Sequence, residues 1–344
     1  MNVETPIEAL KPADYASDQE VRWCPGCGDY AILKGIHRTL ADLQIPLEKL
    51  VFFSGIGCAA RFPYYMASYG FHTIHGRAPA LATGAKLANP DLDIWVVMGD
   101  GDALSIGGNH TLHAIRRNVD LNMLLFNNEI YGLTKGQYSP TSRLGTRSPS
   151  TPQGSVDSPV NALSFALGAG GRFVARTFDT NQKHMPGVLK AAHAHKGASF
   201  VEIIQNCIVY NDGAFDGWTD KAVVADNTIT VEHGKPLIFG KDGNRGIRAS
   251  QDGFGIEVAT IGDSGVTEAD ILVHDEKNRM LAMMLADMKQ PEFPVALGVL
   301  YNNPGQSYDS AVHEQLRAVR EKLPAGSLND MLRKGRTWTV KEGA

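Results

Sequence analysis

The sequence predicts an α/β fold, a mostly parallel sheet covered by helices. Three observations predict it: short, continuous apolar runs; helical stretches that alternate with them; and a Gly/Asp turn that follows one run directly. Strands of a parallel sheet are buried on both faces and therefore read as unbroken apolar segments. In order along the chain these are 49–54, 94–98, 121–126, 172–177 and 200–204. Helical stretches are expected over 30–42, 79–87, 105–118, 160–167 and 181–195, so each crossover is right-handed and the helices cover the sheet.

Outside this series the pattern changes. Residues 134–159 are rich in Ser, Thr, Pro and Gly, and so long a loop in a compact domain is a lid, a binding loop or disordered. Residues 211–255 are rich in Gly and Asp and read as irregular structure outside the main sheet. A helix is expected near 310–322, followed by the basic run Arg333-Lys334-Gly335-Arg336, read as a solvated helix end. The expected organisation is a ligand-binding α/β domain over residues 1–210. Residues 211–344 then form a partly irregular extension that packs on it or on a partner subunit.

Bulk composition narrows the function classes. A net charge of −4 over 344 residues argues against a broad basic face for nucleic acid. The longest apolar runs are far too short to span a bilayer. Polar residues 1–11, with Glu4 and Glu8, show no secretory signal, so a cytoplasmic protein with no nucleic-acid or membrane partner is expected. The four cysteines are Cys24, Cys27, Cys58 and Cys207. Disulfides are rare in a reducing cytosol, so a close Cys-x-x-Cys pair with two remote cysteines points to a shared metal or cluster site. Four unrelated core thiols are the plain alternative.

The run 94–98 leads directly into Gly99-Asp100-Gly101-Asp102, and the next run ends at Asn127-Asn128. One βαβ unit, roughly 30 residues, separates Asp100 from Asn128. Two successive parallel strands deliver both to the carboxyl edge of the sheet, where open α/β sheets bind ligands. Mg²⁺ takes oxygen ligands and few protein groups. The Asp100 carboxylate, the Asn128 amide oxygen and a backbone carbonyl near Ile130 suit it. The glycines let the backbone approach a diphosphate at the following helix N-terminus.

Gly-Asp-Gly followed by Asn-Asn resembles the thiamine diphosphate motif. Trp23-Cys24-Pro25-Gly26-Cys27-Gly28, Gly55-Ile56-Gly57-Cys58, His75-Gly76-Arg77 and the run from Tyr131 to Thr141 resemble the β subunits of 2-oxoacid:ferredoxin oxidoreductases. The resemblance implies the diphosphate-binding domain fold of thiamine enzymes. It also implies a [4Fe–4S] cluster on Cys24, Cys27, Cys58 and Cys207, although four thiolates suit a structural zinc equally. Ile56, Gly57, Cys58 and Ala59 would lie against thiamine diphosphate, with His75 near its diphosphate. Gly101 and Asp102 would contact the diphosphate, and Gly132 and Leu133 would support the bent cofactor. Arg61 would recognise the 2-oxoacid carboxylate.

The activity implied is oxidative decarboxylation of a 2-oxoacid with coenzyme A, electrons leaving singly through the cluster to ferredoxin, with carboxylation as the reverse. The wording of residues 131–137 favours 2-oxoglutarate over pyruvate. No second βαβ series is visible for a pyrimidine-binding domain, so an α subunit and an α₂β₂ assembly are expected. Rival readings are a non-redox thiamine enzyme with structural zinc and a non-catalytic scaffold of the same fold. Gly168-Ala169-Gly170-Gly171 lies in the wrong context for a dinucleotide loop, and His193 and His195 read as helix-end caps.

Overall fold

A computed structural model of the chain describes residues 9–323, 326–335 and 337–343. Its strands, in chain order, are β1 (Leu50–Ser54), β2 (Tyr69–His72), β3 (Asp93–Gly99), β4 (Leu121–Asn127), the hairpin β5 (Ile130–Tyr131) and β6 (Gln137–Tyr138), β7 (Phe173–Phe178) and β8 (Ala198–Ile204). They continue with β9 (Thr228–Val231), β10 (Ile238–Phe239), β11 (Arg245–Ala249), β12 (Ile256–Thr260) and β13 (Val295–Asn302). The helices are α1 (Asp29–Leu43), α2 (Ala78–Ala88), α3 (Gly108–Arg117), α4 (Ala162–Gly168), α5 (Met185–Ala194), α6 (Asp216–Thr219), α7 (Val224–Asn227), α8 (Arg279–Asp287), α9 (Tyr308–Lys322) and α10 (Leu328–Arg333).

Eight strands form the central sheet in the order β2-β1-β3-β4-β8-β7-β13-β9. Every neighbouring pair is parallel except β13 with β7. Successive strand residues face opposite sides, and the core divides accordingly. Phe53, Val96 and Leu125 pack with Ala82 of α2, Ile115 of α3, Leu163 of α4 and Leu281 of α8. Phe52, Trp95 and Leu124 pack with Ile36 of α1 and Leu189 of α5. Burying each large apolar side chain contributes about 1.5–3 kcal/mol, so the continuous runs are continuous because both faces are used.

The C-terminal part departs from the expectation of an irregular extension. Strands β9 and β13 extend the central sheet, and β10–β12 make a separate three-stranded antiparallel sheet. No boundary at residue 210 divides the central sheet, because β13 bonds directly to β7. The expected helix over 105–118 also begins later. Residues Asp102–Ile106 form a π-helical turn, and α3 starts at Gly108. That turn packs on Gly76, whose φ is +71° and where a Cβ would lie 2.5 Å from the Gly107 nitrogen. His193 is no cap: its Nε2 meets Asp93 Oδ2 at 2.5 Å and its ring stacks on Trp95. His195 is the C-cap of α5, its backbone N–H donating to the Ala191 carbonyl at 3.2 Å, while its Nδ1 meets Asn302 Oδ1 at 3.0 Å.

Residues 1–8, with Glu4 and Glu8, and Arg336 of the basic run lie outside the described residues. Among the described residues no helix is long and apolar enough to cross a membrane. Because β1, β3, β4 and β8 run parallel, the segments beyond Ser54, Gly99, Asn127 and Ile204 gather along one edge of the sheet.

Candidate active site

That edge carries two adjoining cavities. The first is lined by Ile56, Gly57, Cys58, Ala59 and His75, and by Asp100, Gly101 and Asp102. Asn128, Ile130, Gly132 and Leu133 complete the group. These are the residues that the sequence associates with thiamine diphosphate and Mg²⁺. The second cavity, about 210 Å³, is lined by Cys24, Cys27, Cys58 and Cys207, with Arg61 at its wall. Cys58, Asn128, Gly132 and Leu133 line both. Arg61 therefore stands on the cysteine side. Its Nε donates to the Tyr65 hydroxyl at 2.9 Å and its guanidinium lies over Tyr64 and Tyr65.

Asp100 follows β3 directly and is almost fully buried. Burial pushes its carboxyl up to about 6, opposed by hydrogen bonds rather than by a cationic side chain. Thr141 Oγ1 lies 2.7 Å from Asp100 Oδ2 and 2.9 Å from Asn127 Oδ1. Asn128 donates through Nδ2 to Gln205 Oε1 at 2.7 Å and accepts at Oδ1 from the Ile130 amide at 3.2 Å. A buried carboxylate beside an amide oxygen is an all-oxygen donor set of the kind Mg²⁺ prefers.

Asp102 lines the cavity, and the chain engages only one of its carboxylate oxygens; Oδ2 is buried without a partner among the described residues. Oδ1 accepts from the Ile56 amide at 3.1 Å and the Gly76 amide at 2.7 Å, and meets His75 Nδ1 at 2.7 Å. Asp102 thus clamps the loops after β1 and β2, and orients His75 with Nε2 as its remaining nitrogen.

The four cysteines are free thiols. Burial, and then the neighbouring Asp29, raise the Cys27 thiol; the same two causes push Cys58 up to about 12. Among the described residues no three His, Cys, Asp or Glu side chains converge closely enough to hold a single metal ion. Tetrahedral zinc with bonds of ~2.3 Å needs its sulfurs only about 3.8 Å apart, whereas these thiols ring a cavity. Gly132 borders that space: a Cβ there would touch Cys207 Sγ at 3.4 Å and Cys58 Sγ at 3.8 Å, both ordinary contacts.

The loop over 134–159 packs against the site. Besides Thr141, it carries Arg143, whose Nε meets Glu129 Oε2 at 3.0 Å. Thr141, Glu202 and Gln205 surround the site without a role assigned from sequence. Their importance rests on partners far along the chain, and only the position of residues 205–207 just past β8 hints at it.

Residues 55–203 match the family described as thiamine pyrophosphate enzyme, C-terminal TPP binding domain. The chain is 49% identical over 343 residues to the 2-oxoglutarate oxidoreductase subunit KorB of Mycobacterium tuberculosis, covering 98% of this chain and 91% of the relative. It is 43% identical over 203 residues to the 2-oxoacid:ferredoxin oxidoreductase subunit beta of Saccharolobus solfataricus, covering 58% and 67%. Among solved structures, it matches a chain of the 2-oxoglutarate:ferredoxin oxidoreductase from Magnetococcus marinus with 2-oxoglutarate, coenzyme A and succinyl-CoA bound. That match has a TM-score of 0.77 and 33% identity, covering 96% of this chain and 98% of the other.

The chain belongs to the 2-oxoacid:ferredoxin oxidoreductase β subunits. As a 2-oxoacid:ferredoxin oxidoreductase β subunit it is part of an enzyme and works with a partner subunit. The matched thiamine-binding region, residues 55–203, begins at the turn after β1 and runs into β8.

Proposed function

We propose that this β subunit, with its partner, oxidatively decarboxylates a 2-oxoacid, 2-oxoglutarate foremost, forming the acyl-CoA and CO₂ and passing electrons to ferredoxin. The observation that carries the reading is the common wall of the two cavities, made by Cys58, Asn128, Gly132 and Leu133. It would put a thiamine site and a redox centre next to each other. When bound, thiamine diphosphate supplies carbanion stabilisation and a [4Fe–4S] cluster supplies one-electron steps.

The chain's own residues supply position and charge. Asp100, Asn128 and the Ile130 carbonyl would hold Mg²⁺, and the uncompensated burial of Asp100 supports this because a cation removes its cost. Ile56, Gly57, Cys58, Ala59, Gly132 and Leu133 line the cavity that would take thiamine diphosphate. His75, held by Asp102, presents Nε2 on the diphosphate side with the Gly101 and Asp102 backbone. Cys24, Cys27, Cys58 and Cys207 would ligate the cluster, in a cavity large enough for several atoms. Arg61, whose terminal guanidinium nitrogens make no hydrogen bond among the described residues, would take the substrate carboxylate. The α₂β₂ assembly, with the partner supplying the pyrimidine-binding domain, and the cytoplasmic location belong to the same proposal.

The test is anaerobic purification with the co-purifying subunit, then a visible spectrum before and after 2-oxoglutarate and coenzyme A. A broad brown absorption that bleaches with substrate is expected. Bleaching with pyruvate alone corrects the substrate, and a colourless protein holding stoichiometric zinc overturns the redox reading.

A further inference from the structure

One side chain touches both candidate cofactor sites. Gln205 lies immediately beyond β8 and is 1% exposed. Its backbone amide donates to the Asn127 carbonyl at 2.9 Å, which fixes it beside the end of β4. Its Oε1 accepts from Asn128 Nδ2 at 2.7 Å. Its Nε2 donates to Cys27 Sγ at 3.2 Å and to the Asn206 carbonyl at 2.6 Å. Both N–H groups and the oxygen are therefore engaged, and the amide cannot flip without setting donor against donor at Asn128.

We propose that Gln205 is a positioning residue that couples the two centres, turning the Asn128 oxygen toward the cation and tuning the cluster through an N–H···S bond to Cys27. The inference rests on the reading of Asn128 as a cation ligand and of the four thiols as cluster ligands. Its two arms follow from the chemistry of each neighbour. An Asn side chain has one oxygen and one nitrogen on the same carbon. Capturing Nδ2 leaves Oδ1 as the end that can face a cation. Partners of this kind fix ligand orientation and affinity around metal sites.

The sulfur arm acts on charge. A reduced cluster carries one more negative charge than the oxidised one, and part of it resides on the thiolate sulfurs. A donor to Sγ stabilises the reduced state more, so it raises the reduction potential. Its removal lowers the potential. Because one amide makes both contacts, a change at the cation site is transmitted to the cluster ligand through a single rigid plane.

The test uses the enzyme assembled with its partner subunit, with Gln205→Leu and Gln205→Glu beside the unaltered protein. Redox titration of the cluster is followed by electron paramagnetic resonance, and binding of thiamine diphosphate with Mg²⁺ by calorimetry. Leu removes both arms. Glu keeps an acceptor for Asn128 Nδ2 but, when ionised, offers no donor to sulfur. The expected result is a fall in the one-electron equilibrium of about tenfold in both variants, or about 59 mV. Affinity for thiamine diphosphate should fall about tenfold in Gln205→Leu and stay within about threefold in Gln205→Glu. An unchanged potential in Gln205→Leu overturns the sulfur arm, and unchanged affinity in that variant overturns the Asn128 arm. Loss of the cluster from both variants makes Gln205 a structural residue and equally overturns the tuning role. Absence of iron and sulfide from the unaltered enzyme is a different failure, that of the proposed function itself.

Discussion

Thr141 places its hydroxyl 2.7 Å from Asp100 Oδ2, so a residue of the long 134–159 loop supports the carboxylate that ends β3. The loop thereby closes on the carboxyl edge of the sheet at Asp100, the proposed cation ligand. Thr141→Val keeps the shape and removes the hydrogen bond. A hydrogen bond to a charged group is worth ~1.5–3 kcal/mol. The variant should bind thiamine diphosphate with Mg²⁺ about tenfold to a hundredfold more weakly, measured by calorimetry on the assembled enzyme. Unaltered affinity would detach the loop from the site.

Gly132 has no need of left-handed backbone, and a methyl there would point toward the cysteine sulfurs at ordinary contact distance, into the space proposed for the cluster. Its added Cβ would meet Cys207 Sγ at 3.4 Å and Cys58 Sγ at 3.8 Å. Gly132→Ala should lower bound iron and sulfide to less than about half, since even one methyl is felt in a close-packed site. Circular dichroism should remain that of the folded protein. Full cluster content in this variant would place the cluster elsewhere.

Behind the site lies a buried ion pair. Arg176 Nε meets Glu202 Oε2 at 2.6 Å, and Glu202 Oε1 accepts from Asn127 Nδ2 at 2.7 Å. Asn127 in turn accepts from Thr141. Removing one partner of a buried pair costs about 3–5 kcal/mol because the other charge is stranded. Glu202→Leu should therefore destabilise by that amount in urea denaturation. The double variant Arg176→Met with Glu202→Leu should recover a large part of the loss, and no recovery would mean that the pair is not the cause.

How much of this is legible in the sequence differs from element to element. Strands β3 and β4 are readable because both faces are buried, and their Gly-Asp and Asn-Asn ends announce a ligand. The edge strand β2 is exposed throughout and offers no apolar run. Strand β13 is apolar, yet Gly298 at φ +108° and a bulge between Val299 and Tyr301 interrupt its regularity. Its place beside β7 depends on an antiparallel return that no local pattern encodes. Cavity-lining residues sit within motifs, so their types reveal them. Glu202 and Gln205 act through Asn127 and Asn128 on another strand, a neighbour relation that exists only after folding.

Acid should loosen the fold through its histidines. Burial lowers His37, His184, His195 and His274 below their ordinary 6.5. Such a residue binds fewer protons folded than unfolded. Its contribution is therefore complete above pH 6.5 and is lost as the pH falls from there toward the depressed folded value. His274 shows the cause: Nε2 meets the Val299 carbonyl at 2.9 Å, while Nδ1 is buried without a partner. Burial pushes Asp100 up to about 6 and Asp29 and Glu129 up to about 7, which works in the opposite direction over the same range. The histidine effect is therefore read as a difference: His274→Gln should lose less of its urea midpoint than the unaltered protein as the pH falls below about 6.5. A pH profile identical in His274→Gln and the unaltered protein would show that this imidazole is hydrated in solution.

Arg61 is where the proposed substrate recognition and the proposed cluster assembly can be tested apart. It lines the cysteine cavity, yet its only hydrogen bond among the described residues runs from Nε to Tyr65. Tyr64 and Tyr65 hold the guanidinium from below, leaving its two terminal nitrogens directed at whatever enters. A bidentate carboxylate pair contributes ~1.5–3 kcal/mol, and lysine cannot reproduce the fork. Arg61→Met should raise KM for 2-oxoglutarate about tenfold to a hundredfold while iron content and the cluster spectrum stay unchanged. Arg61→Lys should recover only part of the affinity. If kcat falls with KM unaltered, Arg61 acts on the reacting centre rather than on the carboxylate. If the cluster is lost, its place on the cysteine wall is the reason it is there.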